Sequence, residues 1–279
     1  MPREGLEPGL YLVATPIGNL RDITLRALDV LAGSDLVLAE DTRVSGKLLR
    51  AHAIAARLER YDDHAAPRVR PKVLAALAEG AAIALISDAG TPLINDPGYR
   101  LVREALDQGA RVFPVPGASA VLSALTVSGL PTDRFLFAGF PPARASARRQ
   151  FLQELAPVRA TLVVFEGGSR LAASLADMAE ILGPRPAAVA RELTKMHETV
   201  LRGPLDQLAG DPALALPKGE MVVVIGPGRE AAASAEEAEA ALSEALTRLS
   251  PAEAAAEVAR SLGLARRQLY ARALTLRKR

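Results

Sequence analysis

Residues 85–98 read LISDAGTPLINDPG. An apolar run gives way here to Asp88 and Asp96 set among Gly90, Gly98, Thr91 and Pro92. The carboxylates offer acceptors for hydroxyl or amino groups, the glycines let backbone approach a ligand closely, and Thr91-Pro92 stiffens the path. As turn chemistry alone the composition is unremarkable. It gains weight from its company, because TPIGNL (15–20), AEDTR (39–43) and RELTKMHE (191–198) also follow apolar runs with small and polar residues. Open α/β folds bind ligands at the carboxyl ends of their strands, so four such edges suggest a cleft between two sheets.

Other motifs fail on inspection. IGPGREA (225–231) has the outline of a dinucleotide fingerprint, but no strand follows it to complete a βαβ unit. Gly46-Lys47 lacks the upstream Gly and the following Ser/Thr of a P-loop. His197-Glu198 opens like a zinc-protease helix, yet position 201 is Leu. His52, His64 and His197 are too dispersed to suggest a metal site, and no metal is expected. Ser119 in GASAV lacks the last Gly of a nucleophile elbow. Hydrolase, kinase and metalloenzyme readings therefore lose their usual anchors.

The elements around these edges alternate in type. Apolar runs at 9–14, 36–39, 82–86 and 111–115 read as strands. Helical spacing occupies 23–31, with Asp22 as N-cap and Gly33 as stop, and then 43–52, 71–79, 99–108 and 118–128. The rhythm continues with strands at 134–140, 160–165, 187–192 and 220–225, and with helices around Leu152 and over 171–182. This alternation predicts an α/β fold with a mostly parallel sheet covered on both faces. PVPGAS (114–119) is the expected seam, because its two prolines punctuate the chain between sheets. The expected division is an N-terminal α/β domain over 1–117, a second α/β domain over 118–230, and a helical tail over 231–279.

At 279 residues and 49% apolar composition the chain can fill more than one core. It has no Cys, which removes disulfides and thiol nucleophiles and suits the cytoplasm. No apolar run approaches the roughly 18 residues of a membrane span. The net charge of +2 hides an asymmetry: residues 235–257 carry six Glu and one Arg, while 258–279 carry seven Arg or Lys and no acid. In the tail Ser250 caps, Pro251 takes the first helical position, Glu253 completes a capping box and Gly263 ends the helix. The basic helix that follows makes the pair resemble a helix-turn-helix. Arg144, Arg148 and Arg149, after the GFPPAR turn, form a second basic cluster, and both suit phosphate backbones. A solvated cationic helix packed on the body is the alternative.

TPIGNLRDIT, AEDTR, SDAGTPLINDPG, PGASA, GFPP and ARELTKMHE stand in this order over residues 15–198. Together they resemble the ribosomal RNA small subunit methyltransferase I family, and the likeness extends from about Leu10 to Gly226. That family is similar in fold to the tetrapyrrole methylases, a class III group that uses S-adenosylmethionine. The resemblance implies two α/β domains with the cofactor in the cleft between them, a small helical C-terminal module, and a homodimer. It further implies methylation of the ribose 2′-hydroxyl of a cytidine in the decoding centre of 16S ribosomal RNA, within the small ribosomal subunit.

Carried over by position, Ser87, Asp88, Ala89, Gly90, Thr91 and Pro92 form one cofactor wall, and Ser119 and Ala120 a second. Phe165, Glu166, Arg191, Leu193, Gly219, Glu220 and Met221 supply the far side. A sulfonium already activates its methyl group, so the protein's task is alignment and exclusion of water. A ribose hydroxyl is a weak acid, and a base or an alkoxide-stabilising charge helps. Glu192 or Asp41 is expected to accept the proton, with Lys195 or Arg43 as electrostatic support and His64 as a further candidate. Pro16, Gly18 and Asn19 belong to the substrate side, and Arg144, Arg148, Arg149, Arg266 and Arg267 to phosphate contact. Two other readings stand beside this one: a tetrapyrrole C-methyltransferase on the same scaffold, and a nucleic-acid binder without enzymatic activity.

Overall fold

A computed structural model of the chain describes residues 5–215, 219–228, 235–262 and 264–277. Five parallel strands, β1 (Gly9–Val13), β2 (Leu36–Ala39), β3 (Leu58–Arg60), β4 (Ala82–Ile86) and β5 (Val112–Val115), lie in the order β3-β2-β4-β1-β5. Their side chains alternate between two cores. Tyr11, Val13, Val37 and Ala84 meet α1 (Leu25–Gly33) and α2 (Thr42–Ala51) on one face. Leu10, Leu38, Ile83 and Leu85 meet α3 (Ala66–Ala78) and α4 (Tyr99–Asp107) on the other. A parallel sheet buried on both faces needs near-continuous apolar strands, and AIALI in β4 is one.

The second sheet departs from the expected parallel pattern. Its order is β6-β7-β10-β8-β9, built from β6 (Phe135–Phe137), β7 (Thr161–Gly167), β8 (Pro186–Arg191), β9 (Thr199–Pro204) and β10 (Glu220–Ile225). Only β6 and β7 run parallel; β7-β10, β10-β8 and β8-β9 are antiparallel. Helix α5 (Ala120–Ser128) covers one face through Val121, Ala124 and Leu125. The other face is covered by α6 (Ala145–Leu155), α7 (Gly168–Leu182) and α8 (Leu205–Ala209).

Several local expectations are corrected. Thr24, not Asp22, caps α1, accepting from Ala27 N at 3.1 Å, while Asp22 sits in a short 3-10 turn. Helix α3 begins before Pro71 and carries it inside, because Val69, Val73, Leu74 and Leu77 anchor the helix on both sides of the missing N–H. Strands β3 and β9 lie at sheet edges and are only partly buried, so their sequences show no clean apolar run.

Among the described residues of the tail, helices α9 (Ala235–Leu246), α10 (Pro251–Leu262) and α11 (Arg266–Leu276) pack around their own apolar cluster of Leu242, Ala254, Val258, Leu269 and Ala273. The capping box at the start of α10 is present: Ser250 N donates to Glu253 Oε2 at 3.1 Å, and Glu253 N to Ser250 Oγ at 3.4 Å. The expected stop at Gly263 and the helix start at 231–234 lie outside the described residues.

Candidate active site

The carboxyl ends of β1, β2, β4 and β5 open toward the second sheet. There a cavity of about 300 Å³ is lined by Ile17, Glu40, residues 88–91, 94–96, 119–121, Phe140, Phe165, Ala190, Glu192, Leu193, Lys195 and 220–222. The loop after β4 is held from below. Thr15 and Gly90 pair through their backbones at 2.9 and 3.0 Å, and the Ser87 hydroxyl lies 3.3 and 3.2 Å from the carbonyls of Ala89 and Gly90. Thr91 Oγ1 donates to Ala118 O at 3.3 Å, joining this wall to the α5 entrance. Ser119 then caps α5, accepting from Leu122 N at 3.4 Å.

The cavity is acidic. Glu40, Asp88, Asp96, Glu192 and Glu220 line it, with Lys195 the lone cation among the described lining residues. Burial, first, and then the charges of Asp88 and Glu220 push the Asp96 carboxyl up to about 6, against the Ser87 hydroxyl, which pulls it down. Burial also raises Glu40, helped by Asp96 and Asp88, and raises Asp88 itself. A cleft lined by one sign of charge in low-dielectric walls focuses its field on an opposite charge. The site thus suits a cationic ligand.

The opposite rim comes from the loop after β8. Glu192 and Thr194 adopt φ of 51° and 65°, a left-handed backbone that side chains rarely take and that recurs at functional sites. Lys195 Nζ donates to Glu192 Oε1 at 2.9 Å. Two glycines make room for this pair. A Cβ at Gly18 would lie 2.5 Å from Lys195 Cγ and 2.8 Å from Leu193 O, and a Cβ at Gly219 would strike Glu192 Oε1. The loop after β1 and the loop after β8 therefore touch at this corner.

The sequence-expected residues fall into two groups. Asp88, Ala89, Gly90, Thr91, Ser119, Ala120, Phe165, Glu192, Leu193, Lys195, Glu220 and Met221 line the cavity. Ser87 and Pro92 lie outside the lining set, Ser87 as a brace behind the loop. Glu166 faces away: it accepts from Gly167 N at 2.9 Å and from the Ser174 hydroxyl, and pairs with Arg170 at 2.8 Å, which ties β7 to α7. Arg191 and Gly219 also lie outside the lining set.

Asp41 caps α2, accepting from Arg43 N at 2.8 Å, and pairs with the Arg43 guanidinium at 2.6 Å. Those bonds hold its carboxyl far below the usual range, which makes it a poor proton acceptor. Neither Asp41, Arg43 nor the exposed His64 lines the cavity. Pro16 is buried, so it cannot meet RNA, whereas Gly18 and Asn19 are exposed. Arg148 is 5% exposed and bonded to Asp177 at 2.6 Å, which withdraws it from phosphate contact. Arg149 pairs with Asp177 and Glu180, while Arg144, Arg266 and Arg267 are exposed. Asp96, read from the sequence as an acceptor beside Asp88, lines the cavity, whereas Glu40 and Phe140 were missed although each lies inside a quoted motif. Among the described residues no group of three or more His, Asp or Glu could hold a metal, and no helix is long and apolar enough to cross a membrane.

Residues 9–209 match the family described as Tetrapyrrole (Corrin/Porphyrin) Methylases, and residues 232–277 match the RsmI C-terminal HTH domain. A uroporphyrin-III-C-methyltransferase from Thermus thermophilus shares the fold at TM-score 0.56 and 23% identity, over 78% of this chain and 94% of that one. Diphthine synthase does so at TM-score 0.61 and 14% identity, over 78% and 89%. Curated relatives are much nearer in sequence. One from Mesorhizobium japonicum, named ribosomal RNA small subunit methyltransferase I, is 51% identical over 99% of this chain and 95% of its own length. A second of that name, from Erythrobacter litoralis, is 53% identical over 98% and 97%. Identity near one half from end to end, tail included, far exceeds what a common fold requires; the chain belongs to the ribosomal RNA small subunit methyltransferase I family, on the tetrapyrrole methylase fold.

Proposed function

We propose that the chain transfers the methyl group of S-adenosylmethionine to the ribose 2′-hydroxyl of a cytidine in the decoding centre of 16S ribosomal RNA. It does so in the cytoplasm, as a homodimer acting on the small ribosomal subunit. The observation that carries this reading is the end-to-end identity to relatives named for methylation of small-subunit ribosomal RNA. The acid-lined cleft agrees with it, because the donor carries positive charge at its sulfonium and its amino group. Edge strand β6 exposes Phe135 and Leu136, an apolar surface that a second copy could cover.

The loop 88–91, Ser119-Ala120, Phe165, Leu193 and Met221 would hold the cofactor. When bound, it supplies a methyl group already activated for displacement. The chain's own contribution is position and proton transfer. Fixing the ribose oxygen against the methyl carbon and excluding water can contribute roughly 7–11 kcal/mol. Glu192 takes the hydroxyl proton at the oxygen that Lys195 does not occupy. The Lys195 ammonium, 2.9 Å from the other oxygen, stabilises negative charge growing on the ribose oxygen.

The test is to incubate enzyme and methyl-labelled cofactor with unmodified small subunits, naked 16S RNA and a tetrapyrrole macrocycle, and then to map the label. Label on a cytidine ribose of the subunit supports the reading. Label on a nucleobase, or only on the macrocycle, overturns it.

Two further outcomes follow. Removing residues 235–279, the whole self-contained helical module, weakens RNA binding and flattens its salt dependence while cofactor binding persists. An unchanged slope of log affinity against log salt would take the tail off the RNA surface. The second outcome concerns Asp96. Its carboxyl keeps a proton to about pH 6 in the folded chain, whereas its ordinary value is 3.8. The folded state therefore binds more protons between those values, and the free protein loses stability as pH rises through them. Binding of a cation needs the ionised form, so cofactor affinity rises across the same window. Asp96→Asn should raise the melting temperature at pH 7.5, weaken cofactor binding on the order of ten-fold, and abolish the pH step. Titration calorimetry from pH 5 to 8 reads this directly; a step that survives the substitution assigns it to another group.

A further inference from the structure

Helix α11 carries a surface that methyl transfer does not explain. Leu269, Ala273 and Leu276 turn one side of it into the core of the tail. On the opposite side Arg267, Tyr270 and Leu274 follow each other at spacings of three and four residues, which places them in one row. Tyr270 is 43% exposed and Leu274 41%. Arg266 and Arg277 flank the row and are exposed, and α11 contains no acid. Arg272, by contrast, is occupied with Glu239 of α9. An aromatic ring and a Leu held out to solvent in the middle of a cationic helix are not needed for its packing.

We propose that this row binds unpaired nucleotides of RNA, with one base stacked on the Tyr270 ring and the neighbouring phosphates met by Arg266, Arg267 and Arg277. The inference rests on the RNA-methylating function proposed above and names the part of the substrate that the tail takes. The charge on the helix fits a polyanion. The major groove of an A-form duplex is too deep and narrow for side chains on a helix to read, so a helix serving an RNA enzyme meets bases where they are splayed from the stack. Stacking on an aromatic side chain accepts any base and adds affinity independently of salt, whereas the arginines add affinity that falls with salt.

The experiment uses the full chain and four fluorescent probes: a single-stranded oligoribonucleotide, an RNA hairpin whose loop has the same sequence, an RNA duplex and a DNA duplex. Tyr270→Ala should lower affinity for the strand and the loop about ten-fold, with the salt slope unchanged. Tyr270→Phe keeps the ring and should bind like the unaltered protein, which separates stacking from a folding defect. Arg267→Ala should weaken binding and reduce the slope by about one. Tighter binding to either duplex than to the strand, or equal affinities for the Tyr270→Ala and unaltered proteins, overturns the proposal. Labelled-methyl transfer by the unaltered protein is run alongside. If it methylates small subunits while Tyr270→Ala binds normally, only the role of α11 fails. If it methylates no RNA, the parent reading fails.

Discussion

Lys195→Ala lowers the turnover of RNA methylation by about 10²- to 10⁴-fold while the cofactor still binds, the range expected when a positioned group assisting proton transfer is lost. The ammonium is one half of a pair whose other half, Glu192, sits on a left-handed backbone. Holding a non-glycine residue there costs on the order of 1–3 kcal/mol, and such a cost survives only where surrounding structure enforces it. Glu192→Gln keeps the shape and a hydrogen-bond acceptor but cannot take up a proton, so its loss should also fall on kcat. The two substitutions together should cost little more than the larger alone, because each disables the same step. Single-turnover kinetics at saturating cofactor, with cofactor affinity from calorimetry, checks this. A loss of cofactor binding with unchanged turnover at saturation would make the pair part of the cofactor wall instead.

The first-sheet strands and the loop edges could be read from the chain because apolar strands end where Gly, Pro, Asp and Thr cluster, and the four edges named from sequence do meet around one cavity. What sequence misread was direction. Successive residues leaving a strand point to opposite sides. In AEDTR that difference puts Glu40 into the cleft and leaves Asp41 to cap α2. It likewise lets Phe165 line the cavity while Glu166 turns to α7. On α6 the pattern has a period of four: Arg148 stands one turn before Leu152, both are buried, and the guanidinium is satisfied by Asp177. A basic cluster counted along the chain ignores that geometry. The antiparallel pairings of the second sheet were hidden for a related reason, since β8 and β10 are buried over nearly all their length and show no alternation.

Gly18→Ala reads the contact between the β1 and β8 loops at the site. Its backbone is not in the left-handed region, so an added methyl brings a steric cost and no dihedral strain. The methyl would meet Leu193 O and Thr194 Oγ1 at 2.8 Å and Lys195 Cγ at 2.5 Å. A flexible side chain could swing away; the backbone carbonyl cannot, so the β8 loop must shift. Misplacement of a catalytic group by about 1 Å can cost about 10²-fold, and that is the loss of kcat expected. Gly219→Ala adds strain to the same error, because Gly219 has φ of 93° and its Cβ would strike the Glu192 carboxylate. It should therefore lower the melting temperature more than Gly18→Ala does. A double-mutant cycle decides whether the loss runs through the ion pair. If Gly18→Ala acts by displacing Lys195, then combining it with Lys195→Ala leaves kcat near the value of Lys195→Ala alone, since a group already absent cannot be misplaced. Multiplicative losses would mean that the β1 loop contributes to RNA positioning on its own account, through the exposed Asn19.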